Sequence, residues 1–118
     1  MKLGMQQYDG DCMGKSPVMR VWITNKNNRE ITPEMSESMV AFLSTAIEHG
    51  CIGSTFAEDD ERIIAYTRWS DEVTLEQFRS SEEYKAREAK IIQSFAAAGF
   101  EIADDILFNS TATILFSN

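Results

Sequence analysis

Few residues of this 118-residue chain combine a reactive type with a telling spacing. Trp69 closes an alternating apolar run and stands before an acidic turn, Ser70-Asp71-Glu72. A large aromatic where a strand hands over to a helix is a natural pocket rim. His49, the one histidine, falls at the C-terminal end of a helical pattern. The helix dipole favours the protonated ring there, which makes it a less ready base. Cys51 follows Gly50 with no His–carboxylate constellation, so it reads as a small buried residue rather than a nucleophile. Gly14-Lys15-Ser16 matches the end of a phosphate-binding loop, but the earlier glycine such a loop needs falls on Asp9. Pro17 also interrupts the helix that should follow. Asp9-Gly10-Asp11 lacks the remaining ligands of a calcium loop. Glu58-Asp59-Asp60-Glu61 reads as a solvated turn rather than a cation site. No metal and no cofactor is expected.

Composition narrows the partners. Hydrophobic residues at 43% and charged residues at 25% lie in the globular range, and the length suits one modest core. A net charge of −8 argues against nucleic acid and against an anionic membrane surface. The expected partners are small molecules or further copies of the chain. No apolar run is long enough to span a bilayer, and Met1–Gly14 lacks the apolar region of a signal peptide. Cys12 and Cys51 suggest no disulfide framework, so a cytoplasmic location is the expectation. Asn109-Ser110-Thr111 fits a glycosylation sequon, but no secretory route is expected to use it.

The elements that must position these residues are readable in order. Residues 1–17 hold three glycines and no sustained period, and are read as an N-terminal arm before a single domain over 18–118. Val18–Asn25 alternates as a strand, with Val18, Arg20, Trp22 and Thr24 on one face. Thr32 caps a helix over Pro33–His49 whose Met35, Met39, Phe42, Leu43, Ala46 and Ile47 form one stripe. Cys51–Ala57 and Arg62–Trp69 form a hairpin. Ile63, Ala65, Thr67 and Trp69 share one face of its second strand. Ile64 and Tyr66 lie on the other, with Ile52 and Phe56 assigned to the same open side. Capping signals at Thr74 and Ser80 predict a short helix over Leu75–Arg79 and a longer one over Glu82–Ala98, ended by Gly99. Ile102–Ala103 and Ile106–Phe116 form a last extended segment, expected to break near Asn109-Ser110. The order is β-α-β-β-α-β, an α+β ferredoxin-like split βαβ sandwich. Its open sheet face is apolar, which predicts a homodimer that buries it.

Gly50-Cys-Ile-Gly53 after a helix, a hairpin, Ala65-Tyr-Thr-Arg-Trp-Ser70 and Leu75-Glu-Gln-Phe-Arg-Ser-Ser-Glu-Glu-Tyr84 together resemble the antibiotic biosynthesis monooxygenase family. The resemblance runs over Val18–Phe116 and rests on the order and spacing of these motifs. It implies a dimeric α+β barrel with a pocket between sheet and helices in each subunit. It further implies a cofactor-independent monooxygenase acting on a small aromatic substrate: a phenol, a quinol or a polyketide-like ring system. Trp69 would stack on the ring, Asn25 would donate to an oxyanion, and Arg87 or His49 would assist deprotonation. Two departures qualify the reading. Polyketide-oxidising members often carry asparagine where this chain has Ala65, and the long helix lacks the axial histidine of haem-degrading members. The alternative is a non-catalytic small-molecule-binding or stress-response barrel using the same pocket. A related isomerase is a third reading, and it too needs an acid–base residue.

Overall fold

The β-branched alternation from Val18 to Asn25 forms strand β1, and Thr32 begins helix α1 (Pro33–Glu48) by accepting the Met35 backbone N–H. Pro33 opens that helix where no N–H is needed. Strands β2 (Cys51–Glu58) and β3 (Arg62–Trp69) follow as a hairpin. Helices α2 (Glu72–Arg79) and α3 (Glu82–Ala97) come next, then a four-residue helix α4 (Ile102–Asp105) and strand β4 (Ile106–Thr113). The structure, a computed structural model, describes residues 16–117. Nearly all of the proposed arm, with Cys12 and most of the phosphate-loop-like motif, lies outside the described residues.

The four strands form one antiparallel sheet in the order β2-β3-β1-β4, the ferredoxin-like arrangement expected from the element order. Arg20 pairs with Thr67 and Trp22 with Ala65, so the inward sets of β1 and β3 share one face. Helix residues Met35, Met39, Leu43, Ile91 and Phe95 pack on that face with Ile63, Ala65 and Phe100. A second cluster joins Val18, Ala46, Cys51, Trp69, Leu75 and Phe78. Phe42 touches both clusters.

Four sequence expectations are corrected. Ile102–Ala103, expected to be extended, opens helix α4, where the Ile106 N–H bonds back to the Ile102 carbonyl. Phe56 was assigned to the open face, but it packs against the main core cluster. A bulge between Cys51 and Gly53 inserts an extra residue, and a one-residue slip sends every later side chain of β2 to the opposite face. Strand β4 does not break at Asn109-Ser110. Its irregularity lies earlier, where Ile106 pairs with Thr24 and Phe108 with Ile23, leaving Leu107 as the extra residue. Helix α2 starts at Glu72 because Asp71, three residues ahead of Thr74, supplies the cap: its Oδ1 accepts the Thr74 N–H at 2.7 Å.

The other sheet face presents Met19, Val21 and Ile23 beside Ile64 and Tyr66, all half-buried, with Phe108 exposed at its edge. None of the described helices is long and apolar enough to cross a membrane.

Candidate active site

Between sheet and helices lies a cavity of about 130 Å³. Sheet residues Arg20, Trp22, Ala65, Thr67 and Trp69 form its floor, and Asn109 stands on β4. Its walls include Phe42 from α1, Phe78 and Arg79 from α2, and Tyr84 and Glu88 from α3. Each element arrives by a local rule already seen in the sequence. Strand alternation aims Arg20, Trp22, Ala65, Thr67 and Trp69 inward, and the caps at Asp71 and Ser81 set where the helix stripes begin.

The wall beside Trp69 is aromatic, with Trp69 and Phe78 buried and Phe42 and Tyr84 half-buried. The Trp69 ring stacks on Phe78 with centroids 5.4 Å apart and planes 26° apart. Phe78 meets Tyr84 edge-on at 5.2 Å, and Phe42 meets both Phe78 and Tyr84 at 5.6 Å. Such edge and stacked contacts hold ring orientations that apolar packing alone would leave loose. The indole N–H of Trp69 is committed to Thr67 Oγ1 at 2.7 Å. Trp69 therefore borders the cavity as a fully packed apolar ring with no free donor.

The polar groups gather elsewhere on the lining. Arg20 donates to Thr111 Oγ1 at 3.0 Å and to Asn109 Oδ1 at 2.6 Å. Burial lowers the Arg20 pKa, and the nearby positive charge of Arg79 lowers it further. Arg79 Nη1 donates to Glu76 Oε2 at 3.1 Å, whereas its Nε is buried with no hydrogen-bond partner among the described residues. Burial pulls the Arg79 pKa down, but the Tyr84 hydroxyl and the Glu76 carboxylate outweigh it and leave the value raised. Tyr84 donates to Glu88 Oε2 at 3.0 Å. Burial is the main reason its phenol pKa is raised, and the Glu88 charge adds to it. Tyr84 thus stays a donor at neutral pH, and Glu88 is the sole carboxylate among the described lining residues.

Of the residues singled out by sequence, Trp69 lines the cavity and Asn25, His49 and Arg87 do not. Asn25 ends β1, where its Oδ1 accepts the Asn27 N–H at 2.9 Å in a local turn. His49 caps α1, lies against Phe78 at 5.1 Å and shares a 2.6 Å hydrogen bond with Glu83. Arg87 projects from α3 and donates to Thr45 Oγ1 on α1 at 3.0 Å. Arg20, Arg79, Tyr84, Glu88 and Asn109 were not singled out. Among the described residues, no group of three or more His, Cys, Asp or Glu side chains is placed to hold a metal ion. Cys51 is a buried free thiol whose Sγ donates to the Gly53 carbonyl.

No protein-family model and no curated protein matches the sequence. Solved structures do match in shape. One is SnoaB of Streptomyces nogalater, a cofactor-independent oxygenase, with TM-score 0.61 and 8% identity over 87% of this chain and 95% of that one. A Caulobacter crescentus protein provisionally named an antibiotic biosynthesis monooxygenase gives 0.63 and 9%, over 87% and 93% of the two chains. A similarly named protein from Nitrosomonas europaea gives 0.57 and 14%, again over 87% and 93%. At these identities the likeness is one of fold. The chain has the ferredoxin-like α+β fold of the antibiotic biosynthesis monooxygenase structures.

Proposed function

We propose that the chain is a cofactor-independent monooxygenase for a small, electron-rich aromatic substrate, acting as a homodimer. The observation that carries this reading is Trp69. Its ring is wholly buried and stacked on Phe78 within the aromatic wall of the cavity. The shared fold with a cofactor-independent oxygenase supports it. Cavity size sharpens the substrate class. A dry cavity of about 150 Å³ takes one benzene, so a space of about 130 Å³ encloses a single ring. A larger ring system extends out through the mouth.

The substrate supplies the electrons. Deprotonation of a phenol gives an electron-rich anion, and dioxygen is the co-reactant. One oxygen atom replaces hydrogen on the ring carbon para to the phenolic oxygen, and the other leaves as water. Phenol plus O2 thus becomes para-quinone plus water, the ring losing the four electrons that O2 gains. Glu88, bonded to the Tyr84 hydroxyl, is the carboxylate placed to accept the phenol proton. The apolar wall excludes water from the anion and from reactive oxygen intermediates. Asn25, His49 and Arg87 serve this scheme from outside the cavity by holding the β1 end, the back of Phe78 and the α1–α3 contact.

A second reading, a binding barrel without chemistry, is favoured by one observation. Ala65 places a methyl group on the cavity floor, where a polar side chain would otherwise reach the substrate. Oxygen consumption separates the two. With metal and flavin absent, a panel of phenols, quinols, dihydroxynaphthalenes and anthrones should yield oxygen uptake that falls at least about tenfold in Glu88→Gln. No uptake across the panel would leave the binding reading. For the dimer, the apolar face holding Val21, Ile23, Ile64 and Tyr66 is the surface to bury. Light scattering should give twice the 13.3 kDa chain mass, and Val21→Glu should return the monomer. A monomeric native protein would sink this assembly.

A further inference from the structure

We infer that the cavity takes its aromatic ligand as an acid, a single-ring aromatic carboxylate whose anion is held between the guanidinium groups of Arg20 and Arg79. The inference rests on the cavity beside Trp69 being an aromatic-ring site, and it names the ligand's charged group.

The chain carries a net charge of −8 and only eleven Lys and Arg residues, yet two of its arginines line this one cavity. Arg20 stands on the sheet face that packs against the helices, where a charge is costly unless something answers it. Among the described residues its hydrogen-bond partners are both neutral, the Thr111 hydroxyl and the Asn109 amide oxygen. Arg79 brings a second guanidinium close enough that its charge acts on Arg20 more strongly than that of Glu76 or Glu88.

The carboxylates nearby are already engaged. Glu76 occupies Arg79 Nη1, and Glu88 accepts from the Tyr84 hydroxyl. Among the described residues the Arg79 Nε–H is left buried with no acceptor. A buried orphan donor is uncommon enough to call for an explanation. An anion seated between the two guanidinium groups supplies one. It accepts from the Nε–H, offsets the repulsion between Arg20 and Arg79, and suits the planar donor fork that arginine presents to carboxylates. The ring attached to that anion then extends toward Trp69 and Phe78, and about 130 Å³ limits the enclosed part to one ring.

Equilibrium binding tests this without any turnover. Calorimetry under nitrogen would compare benzoate with benzyl alcohol, which keeps the ring and lacks the charge. Benzoate should bind at least about tenfold more tightly, the usual advantage of a charge-assisted hydrogen bond over a neutral one. Arg20→Gln and Arg79→Gln should each remove most of that preference, while Arg20→Lys retains part of it. Benzyl alcohol binding by the variants, within about threefold of the native protein, would show that the ring site is still folded. Equal affinity for the two ligands in the native protein overturns the inference, as does a preference that survives both glutamine variants. Oxygen uptake with neutral phenols that benzoate fails to inhibit would leave the oxygenase reading standing and remove this one. A benzoate preference that depends on both arginines, with no oxygen uptake, would do the reverse.

Discussion

Replacing Trp69 separates its service to the core from its service to the cavity. Trp69→Ala removes the largest of the fully buried side chains. Truncating a buried aromatic residue to alanine costs about 3–5 kcal/mol. Two local features move the value within that range. The stack on Phe78 at 5.4 Å and the 2.7 Å hydrogen bond to Thr67 raise it, each by about 0.5–1.5 kcal/mol. The cavity lowers it, since on that side the ring has fewer atoms to lose as contacts. The expected cost is about 4 kcal/mol, a large share of the roughly 5–15 kcal/mol that holds such a domain. The melting temperature should fall by about 20 °C. Trp69→Phe keeps a ring against Phe78 and loses the N–H and some volume. It should cost about 1–2 kcal/mol, or roughly 5–10 °C.

Urea unfolding followed by far-ultraviolet circular dichroism, with unchanged slope, measures both values. Indole added to Trp69→Ala should recover part of the loss, because a ligand that binds only the folded state stabilises it by mass action. Trp69→Ala costing less than about 1 kcal/mol would refute the placement of the ring in the aromatic wall. Equal losses for the phenylalanine and alanine variants would refute the role given to the stack on Phe78.

Three further perturbations probe the frame. Asp105 is buried and accepts from Asn27 Nδ2, from Arg29 Nη1 at 3.1 Å and from the Glu101 backbone N–H at 2.8 Å. Asp105→Asn should cost about 2–3 kcal/mol in urea unfolding, since an amide group then faces these donors. Gly50 has φ +106°, and a Cβ there would lie 3.0 Å from Thr74 Cγ2. Gly50→Ala should cost about 1–2 kcal/mol, and a neutral result would argue against this turn. The Arg62 side chain, then the Glu61 backbone N–H, lower the Asp59 pKa from 3.8 to about 2. A depressed carboxylate contributes stability above its unfolded pKa and loses it as pH falls through the folded one. Asp59→Asn should therefore flatten the stability curve between about pH 4 and 2, and high salt should shrink the effect at this exposed turn. A carbon-detected titration with an ordinary Asp59 midpoint would contradict it.

Most of the frame was legible because strong local signals agreed with one another. Thr32 before Pro33, the stripe from Met35 to Ala46 and Gly50 after His49 place α1 to within a residue. What escaped were the short helix α4, read as extended, and two single-residue irregularities. Nothing in Cys51-Ile-Gly-Ser-Thr-Phe56 announces that one residue bulges, yet that bulge decides whether Phe56 faces core or solvent. Strand alternation carries no memory of an inserted residue. Gly53, where an added Cβ would meet the Arg68 guanidinium at 2.2 Å, is the nearest thing to a warning.

The site was harder to read because its polar half is assembled from four elements at once. Trp69 was visible from one segment, since strand end, acidic turn and helix start lie together in the chain. Asn25, His49 and Arg87 are polar residues at or near element ends, but such residues find partners close by: a turn N–H, Glu83 and Thr45. Residues bound to their own frame in this way are poor candidates for meeting a ligand. Arg20 left the opposite clue. It shares a strand face with Val18, Trp22 and Thr24, which sequence alternation alone assigns to the core side. A guanidinium on that face must be neutralised, wetted or reserved for something absent from the chain. Arg79, Tyr84 and Glu88 join it only when α2 and α3 fold back across the sheet, and Asn109 only when β4 pairs with β1. The inward-facing charge was therefore a better pointer to the polar half of the cavity than any residue chosen for its reactivity.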